Sequence, residues 1–197
     1  MRKLIMKMSM SVDGFISDAD GGNEWLFKTG DAESLAWSVG LGSTAGLIIM
    51  GRKSFEVMAP YWPTATGPFA EPMNTIPKAV FTQKGYKGVD TGGKAIAELS
   101  PAEASWASAP IYDGDLAETV KQLKAGEGKP IMALGGAGFM QSLIATGLID
   151  EYYLAIHPVA LGAGARIFAD LAAPFYMKLV DVKTFPGGVV VHVYHNV

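Results

Sequence analysis

The chain has 197 residues, of which 49% are hydrophobic and 18% are charged, and these proportions predict a globular protein with a sizeable core. A net charge of −3, from 16 basic and 19 acidic residues, argues against a nucleic-acid or membrane-surface partner. Cysteine is absent and only three histidines occur, so thiol chemistry is excluded and a metal site is not expected. We therefore expect a cytoplasmic enzyme with a small-molecule substrate.

Hydrophobic alternation and turn residues predict strands and helices in the following order. The predicted strands cover 3–10, 46–50, 76–82, 109–112, 130–134, 152–159, 177–185 and 189–195. The predicted helices cover 32–39, 53–58, a segment after Asp115, 138–147, and one or two turns within 166–171. Residues 60–75, which contain four prolines, are predicted to be loop, and residues 85–108 show no clear pattern.

The alternation of strands and helices, followed by a hairpin around 186–188, predicts an α/β fold. We expect a single three-layer domain over residues 1–197. Its central sheet is predicted to be mostly parallel, with helices on both faces and a C-terminal antiparallel hairpin. Asp31 is predicted to cap the helix at 32–39, and Gly40 and Gly42 are predicted to end it.

Three predicted strands end in turns that suit an anionic ligand. Glycines let a backbone approach a ligand closely, fresh helix N-termini offer unpaired N–H groups, and Arg and Lys supply charge for phosphates. Because the carboxyl ends of parallel strands meet at one edge of a sheet, we expect the three turns to lie close together. The turns are Gly51-Arg52-Lys53-Ser54, Thr82-Gln83-Lys84 and Gly135-Gly136-Ala137-Gly138.

Two common phosphate-binding motifs do not fit these turns. Between Gly46 and Gly51 the four residues form an apolar strand, and Arg52 stands where a P-loop requires its second glycine. The turn at 135–138 lacks the full G-x-G-x-x-G spacing of the dinucleotide fingerprint.

The order of motifs resembles the dihydrofolate-reductase-like superfamily over nearly the whole chain. In particular it resembles stand-alone proteins similar to the C-terminal reductase domain of bifunctional riboflavin-biosynthesis enzymes. The motifs are Ser11-Val12-Asp13-Gly14-Phe15-Ile16, Trp25, Met50-Gly51-Arg52-Lys53-Ser54-Phe55-Glu56, Gly135-Gly136-Ala137-Gly138, Gly147-Leu148-Ile149-Asp150-Glu151-Tyr152, Pro158-Val159-Ala160-Leu161-Gly162-Ala163-Gly164 and Phe168.

This resemblance implies an NADPH-binding reductase that is often a homodimer. It implies that the turn from Gly51 to Ser54, together with Phe81, Thr82, Gln83 and Lys84, holds the phosphates and adenine end of the cofactor. It also implies that Gly135, Gly136, Ala137, Gly138 and Phe139 lie along the pyrophosphate. The loop that contains Val12, Phe15 and Ile16 is expected to border the nicotinamide.

The catalytic and substrate residues are less clearly marked. Asp13 is the candidate catalytic residue, because it could orient a substrate or a water, although it could equally form the turn before Gly14. Ser9 shares a strand face with Lys7 and Ser11 and could face the substrate. Trp25 could stack on a ring or belong to the core.

Dihydrofolate reductases bind the pterin through a carboxylate on the first long helix. The only acids in that region here are Asp31, the expected cap, and Glu33, which is the candidate substrate residue. His157, before Pro158, is expected to be a core or interface residue rather than a proton donor.

Three functional hypotheses remain. The first is an NADPH-dependent reductase that transfers hydride to a small heterocyclic substrate, pterin-like or pyrimidine-like, or to a carbonyl compound. The second is a non-catalytic nucleotide-binding or oligomeric protein of the same fold. The third is a true dihydrofolate reductase.

Overall fold

The eight strands of the described residues form one sheet in the order β4-β3-β2-β5-β1-β6-β8-β7. The computed structural model describes residues 1–169 and 171–197. The first six strands pair in parallel, and β8 and β7 continue the sheet antiparallel, so the predicted fold class is confirmed. The strands are β1 Leu4–Ser11, β2 Leu47–Gly51, β3 Lys78–Phe81, β4 Ile111–Tyr112, β5 Ile131–Ala133, β6 Glu151–His157, β7 Met177–Thr184 and β8 Val190–Asn196.

Helices cover both faces of this sheet. Side chains of α6 and α7 pack with the alternate side chains of β1 that begin at Leu4, and α2 to α5 pack against the opposite face. The helices are α1 Trp25–Thr29, α2 Ala32–Ser43, α3 Arg52–Tyr61, α4 Ala70–Thr75, α5 Pro101–Ala107, α6 Leu116–Ala125 and α7 Ala137–Ala145.

The start of α2 is built as the sequence predicts. The carboxylate of Asp31 accepts a hydrogen bond from Ser34 N at 2.7 Å, and the Ser34 hydroxyl accepts one from Asp31 N. The end of the helix was predicted wrongly. Gly40 and Gly42 do not adopt positive φ, and the helix continues to Ser43 with Leu41 packed on the core.

Other helix predictions were also wrong. The helix α4 lies in the stretch 60–75, which was predicted to be loop because of its prolines. Its Pro72 lies in the first turn of the helix, where no backbone N–H is needed. The helix α5 has a signal that could have been recognised, since Ser100 and Glu103 form a capping box around Pro101. The short α1 was not predicted. Residues 167–169 form a turn rather than a helix, and residue 170 of the predicted helical stretch lies outside the described residues.

Candidate active site

A cleft opens in the sheet where β1 and β5 part. The pairing of these strands ends at Met6 and Ala133, and beyond it β5 gives way to the turn at Gly135. β1 continues to Ser11, paired only with β6 among the described strands. Residues 7–11 therefore have no strand on their β5 side in the described part of the chain. The gap lies at the carboxyl edge, where open α/β sheets bind their ligands.

The cleft face of β1 is polar. Lys7 and Ser9 point to the face that α2 covers, opposite to the apolar residues that begin with Leu4. The ammonium group of Lys7 donates a hydrogen bond to Ser9 Oγ at 3.3 Å, and no carboxylate of the described residues lies within ion-pair distance of it. Burial lowers the pKa of Lys7 from 10.5 to about 8. The cleft thus contains a poorly compensated cation.

His157 ends β6 beside this cation. Its side chain is 7% exposed, and its Nδ1 lies 2.8 Å from the Thr29 hydroxyl, which itself donates to Trp25 O. Because the Thr29 hydroxyl already donates its proton to Trp25 O, it can only accept a hydrogen bond from His157. We therefore assign a proton to Nδ1 of His157, which donates it to the Thr29 hydroxyl oxygen. Burial, with a smaller contribution from the charge of Lys7, lowers the pKa of His157 to about 4. The imidazole is therefore neutral at physiological pH and leaves Lys7 as the charged group.

Trp25 packs against His157. Its indole is 7% exposed and meets the His157 ring edge to face, with centroids 5.3 Å apart. It is part of the packed interior, which was one of the two alternatives predicted for it. Whether it also contacts a substrate stays a prediction.

The three glycine and lysine turns lie side by side, because β3, β2 and β5 are neighbours in the sheet. Gly51 approaches Phe139 so closely that a Cβ at Gly51 would lie 2.7 Å from Phe139 Cβ. Gly135 and Gly136 adopt φ values of +75° and +81°, and a Cβ built at them would lie 3.3 and 3.1 Å from the Ser54 hydroxyl oxygen. Glycine is required at these positions because the ends of β2 and β5 share one surface.

The two helices that start at this surface have free N-termini. α3 begins after Gly51 and α7 after Gly136, and within the described residues neither helix has a side-chain cap. Unpaired N–H groups at two adjacent helix starts are suited to phosphate oxygens. The residues present therefore fit the pyrophosphate of a dinucleotide.

The predicted cationic residues at this edge differ in their surroundings. Arg52 pairs with Glu56 at 2.7 Å, and Lys53 and Lys84 are exposed. Thr82 is buried and accepts a hydrogen bond from Lys84 N at 3.2 Å, so it shapes the turn itself. Gln83 is exposed. The remaining predicted cofactor residues occupy the same edge: Phe81 stacks on Phe139 at 5.3 Å, and Ala137 and Gly138 begin α7.

Asp13 holds two loops together. Its carboxylate accepts hydrogen bonds from the Ser11 hydroxyl, Gly162 N at 2.7 Å and Leu161 N at 3.1 Å. The bond from Ser11, followed by that from Gly162, lowers its pKa to about 2. Asp13 is therefore a carboxylate at neutral pH and has no proton to donate. Its predicted catalytic role is untested, and the geometry favours a positioning role.

Further contacts join the same two loops. Val12 N donates to Val159 O at 2.9 Å, and Ile16 N donates to Ala165 O at 2.8 Å. The guanidinium of Arg166 lies 4.2 Å from the centre of the Phe15 ring. Of the three predicted nicotinamide contacts, Val12 is 62% exposed, Phe15 is buried and Ile16 is partly buried. The segment 12–16 is thus a fixed rim beside the cleft.

The acids of the first long helix do not face Lys7 as partners. The carboxylate of Asp31 accepts one hydrogen bond from Ser34 N, as the cap of α2, and another from Gly187 N of the hairpin turn at 2.5 Å. Glu33 is exposed and makes no side-chain hydrogen bond or ion pair with the described residues. The cleft therefore presents a lysine rather than a carboxylate to a substrate.

Sequence reasoning named Ser9 but missed Lys7, Thr29 and His157 as a group. The signal for Lys7 was a charged residue inside an otherwise apolar central strand. That pattern shows which residues share a face, but it does not show that the face borders a gap. The link between Thr29 and His157 joins positions far apart in the chain and leaves no local signal.

Residues 1–169 and 171–197 contain neither a candidate metal cluster nor a candidate membrane-spanning helix. No group of three or more metal-ligating side chains is found among them. None of the helices described there is long and apolar enough to cross a bilayer.

The open sheet, its glycine turns and its cleft define a protein of the dihydrofolate-reductase-like fold. Comparison with known proteins then assigns the family. The sequence profile described as the RibD C-terminal domain matches residues 2–191, and the chain belongs to this family. The predicted resemblance is thereby confirmed.

Similar proteins have a comparable length. The uncharacterized protein YyaP of Bacillus subtilis (strain 168) is 32% identical over 199 residues, which cover 98% of this chain and 95% of that protein. A putative riboflavin biosynthesis protein from Shewanella sp. PV-4 superposes with a TM-score of 0.76 at 19% identity, covering 99% of both chains. A pyrimidine reductase-like protein from Corynebacterium diphtheriae has a TM-score of 0.71 at 13% identity, covering 100% of this chain and 92% of that one. The two structural likenesses establish the fold.

Proposed function

We propose that this protein is an NADPH-dependent reductase of a small, pyrimidine-like heterocycle, and that residues 1–197 act as one domain. The observation that carries the proposal is the cleft between β1 and β5, with Lys7 on its wall and two uncapped helix starts at its rim. Membership of the RibD C-terminal domain family supports the reductase class. A cytoplasmic location is proposed with it.

Lys7 has the central role on the substrate side. Its ammonium group can donate a hydrogen bond to a carbonyl oxygen of the ring and stabilise the negative charge that develops there during reduction. Such a charge is stabilised more strongly in a partly buried cleft than in water. Ser9 Oγ, at 3.3 Å, orients the ammonium group. Asp13 acts as a positioning residue that holds the 158–164 loop at the mouth of the cleft.

The charge of the cleft favours a pyrimidine over dihydrofolate. A protonated pterin needs a carboxylate, and neither Asp31 nor Glu33 faces Lys7 as a partner. A dioxopyrimidine presents carbonyl oxygens, which suit an ammonium donor. The related chain from Thermotoga maritima is described as a deaminase and 5-amino-6-(5-phosphoribosylamino)uracil reductase. Its dephosphorylated substrate is the better candidate here, because Lys7 is the only charged residue in the described part of the chain that lines the cavity between α2 and the sheet.

NADPH supplies hydride when it is bound. The N-termini of α3 and α7 would hold its pyrophosphate, and Arg52, Lys53 and Lys84 are the cations available for the 2′-phosphate. Arg52 would then exchange part of its pairing with Glu56 for the phosphate.

We also propose a homodimer. The apolar strand β8 is not at an edge of the sheet, because it lies between β6 and β7 of its own chain. The exposed edge is β7, where Leu179, Val180 and Val182 are 43–49% exposed. The outer side of β7 pairs with no other strand of the described residues, and such an open strand edge suits antiparallel pairing with a second copy. Sedimentation of the wild type and of Val182→Lys tests it: a dimer that the variant converts to monomer supports the proposal, and a monomeric wild type refutes it.

The central test measures cofactor binding and turnover separately. Quenching of tryptophan fluorescence is expected to show saturable NADPH binding that Arg52→Ala weakens several-fold, with little change for NADH. Lys121→Ala, an exposed lysine on α6, is the matched control. Oxidation of NADPH is then followed with the dephosphorylated 5-amino-6-ribosylaminouracil and with dihydrofolate.

The pyrimidine is expected to be reduced and dihydrofolate is not. Binding of NADPH without turnover of any pyrimidine would favour the non-catalytic alternative. Absence of binding at millimolar NADPH would refute the cofactor assignment. Turnover of dihydrofolate that Glu33→Ala abolishes would instead identify a dihydrofolate reductase.

A further inference from the structure

A cavity of about 70 Å³ lies under α2, between this helix, the start of α4 and the sheet. Among residues 1–169 and 171–197, Lys7 is the only charged residue on its wall, and Ser38 and Gly42 of α2 are the smallest residues that line it. A water-sized group needs roughly 10–15 Å³ of such space, so the cavity has room for a short chain of carbon atoms. The rest of the wall is apolar: Ile48, Phe69, Pro72, Met73, Met132 and Leu134.

Gly42 keeps this space open without a structural need for glycine. It lies within α2, its φ is not positive, and a Cβ built there meets no atom within 4 Å. Glycine in a helix costs up to about 1 kcal/mol relative to alanine. Ser38, one helical turn earlier, faces the same space. The helix therefore gives up stability and leaves a void that a larger side chain could fill.

Lys7 is the charged residue of the cavity lining, and its ammonium group lies 3.3 Å from Ser9 Oγ. A lysine has three N–H donors, and the hydrogen bond that this group makes among the described residues is the one to Ser9 Oγ at 3.3 Å. A ligand with an oxygen atom beside Lys7 and an apolar group next to that oxygen would satisfy both features of the site. An apolar group alone would leave the cation poorly solvated.

We infer that this cavity is an inner subsite that takes a short alkyl substituent carried beside a carbonyl oxygen of the substrate ring. Gly42 is then a specificity-determining residue, because its missing side chain leaves the room for the substituent. The inference rests on the proposed function for the pyrimidine-like ring, and it adds the substituent and the residue that selects it.

The test compares Gly42→Leu with Gly40→Leu. Gly40 lies in the same helix, is exposed, and likewise has open space around its Cβ, so it is a matched control outside the cavity. Affinities for uracil and 5-propyluracil are measured by calorimetry with saturating NADPH. Since each buried CH₂ contributes about 0.8 kcal/mol, the wild type is expected to bind 5-propyluracil at least tenfold more tightly than uracil.

Gly42→Leu is expected to reduce the preference for 5-propyluracil to less than twofold and to leave the affinity for uracil unchanged. Gly40→Leu is expected to keep the wild-type preference. Gly42→Ala adds a smaller side chain, is expected to reduce the preference in part, and replaces the leucine variant if that variant does not fold. Equal affinities in the wild type, or equal losses in the Gly40 and Gly42 variants, would overturn the inference and leave the reductase proposal intact.

Xenon binding, read from its NMR chemical shift, tests the cavity without any pyrimidine. Saturable binding to the wild type and to Gly40→Leu, but not to Gly42→Leu, supports the subsite even if no pyrimidine binds. Xenon binding without any pyrimidine binding would contradict the proposed substrate and would not contradict the subsite. Xenon binding that Gly42→Leu leaves unchanged would refute the subsite.

Discussion

Replacement of Lys7 by methionine is expected to stabilise the protein and to abolish its reductase activity. The folded-state pKa of Lys7 is lowered from 10.5 to about 8 because the ammonium group is desolvated. A shift of this size corresponds to about 3 kcal/mol of unfavourable free energy at pH 7, at 1.36 kcal/mol for each pKa unit. Methionine has a similar length and no charge, so it removes that term and retains the packing.

The stability that Lys7→Met gains over the wild type decreases as the pH rises. Below pH 8 both the folded and the unfolded chain hold the proton, and the wild type bears the full penalty. Between pH 8 and 10.5 the folded state releases the proton while the unfolded state keeps it, so the stability of the wild type rises. The difference between Lys7→Met and the wild type is therefore expected to fall from about 3 kcal/mol at pH 7 to about 1 kcal/mol at pH 9.5.

Urea unfolding at these two pH values measures the difference. The pKa of the buried Lys78 is also lowered to about 8 by burial, but this lysine is present in both proteins and cancels in the comparison. Lys121→Met, at an exposed position, should show no pH-dependent difference. A variant that is less stable than the wild type at pH 7, or a difference that does not change with pH, would show that Lys7 does not bear an uncompensated charge.

Three further predictions follow from single contacts. Asp13→Asn places an amide donor against backbone N–H groups, and hydrogen exchange at Leu161 and Gly162 is expected to accelerate roughly tenfold. Gly51→Ala would put a Cβ 2.7 Å from the side chain of Phe139, so urea unfolding should show a loss of about 1–3 kcal/mol, and the affinity for NADPH should fall. The imidazole of His157 should titrate in NMR spectra near pH 4, and at higher pH after Lys7→Met, because the charge of Lys7 depresses its pKa.

Each of these has a clear contrary result. Unchanged exchange at Leu161 would show that the carboxylate of Asp13 does not hold the loop. Gly138→Ala, which meets open space, is the control for Gly51, and equal losses in both would disprove the close contact. A His157 midpoint close to 6.5 would mean that the ring is solvated.

Much of the fold could be predicted from local patterns. The run 47–50 predicts a buried strand, and this strand is present. The turn predicted after it is a direct junction, because Gly51 ends β2 and α3 begins at Arg52. Asp31 and Asp115 predict helix starts for the same reason, since a capping carboxylate acts within three residues. The helix α4 was missed because the prolines of 60–75 were interpreted as loop signals, although Pro72 lies in the first turn, where a helix tolerates it. The helix α5 was missed because residues 85–108 are mostly small and show no clear pattern.

The site was harder to predict because its contacts are non-local. Asp13 was predicted to be a turn residue or a catalytic residue, and two of its three hydrogen-bond partners among the described residues lie 148 and 149 positions away. The polar face of β1 could be read from alternation, but the gap beside it depends on the order of strands, which no local pattern encodes. The sequence could name Ser9 and Lys7 as neighbours without showing that they line a cleft.

The strand order has a consequence for how the protein is made. β1 leaves the ribosome before the other described strands of this sheet, yet both of its neighbours, β5 and β6, begin after residue 130. Leu4 pairs with Ile131, so the centre of the sheet closes only after residue 131 has been synthesised. Contacts this distant in sequence slow folding. Until then β1 has no partner strand among the described residues. Lys7 and Ser9 interrupt its apolar sequence, and this lowers the tendency of the unpaired strand to aggregate.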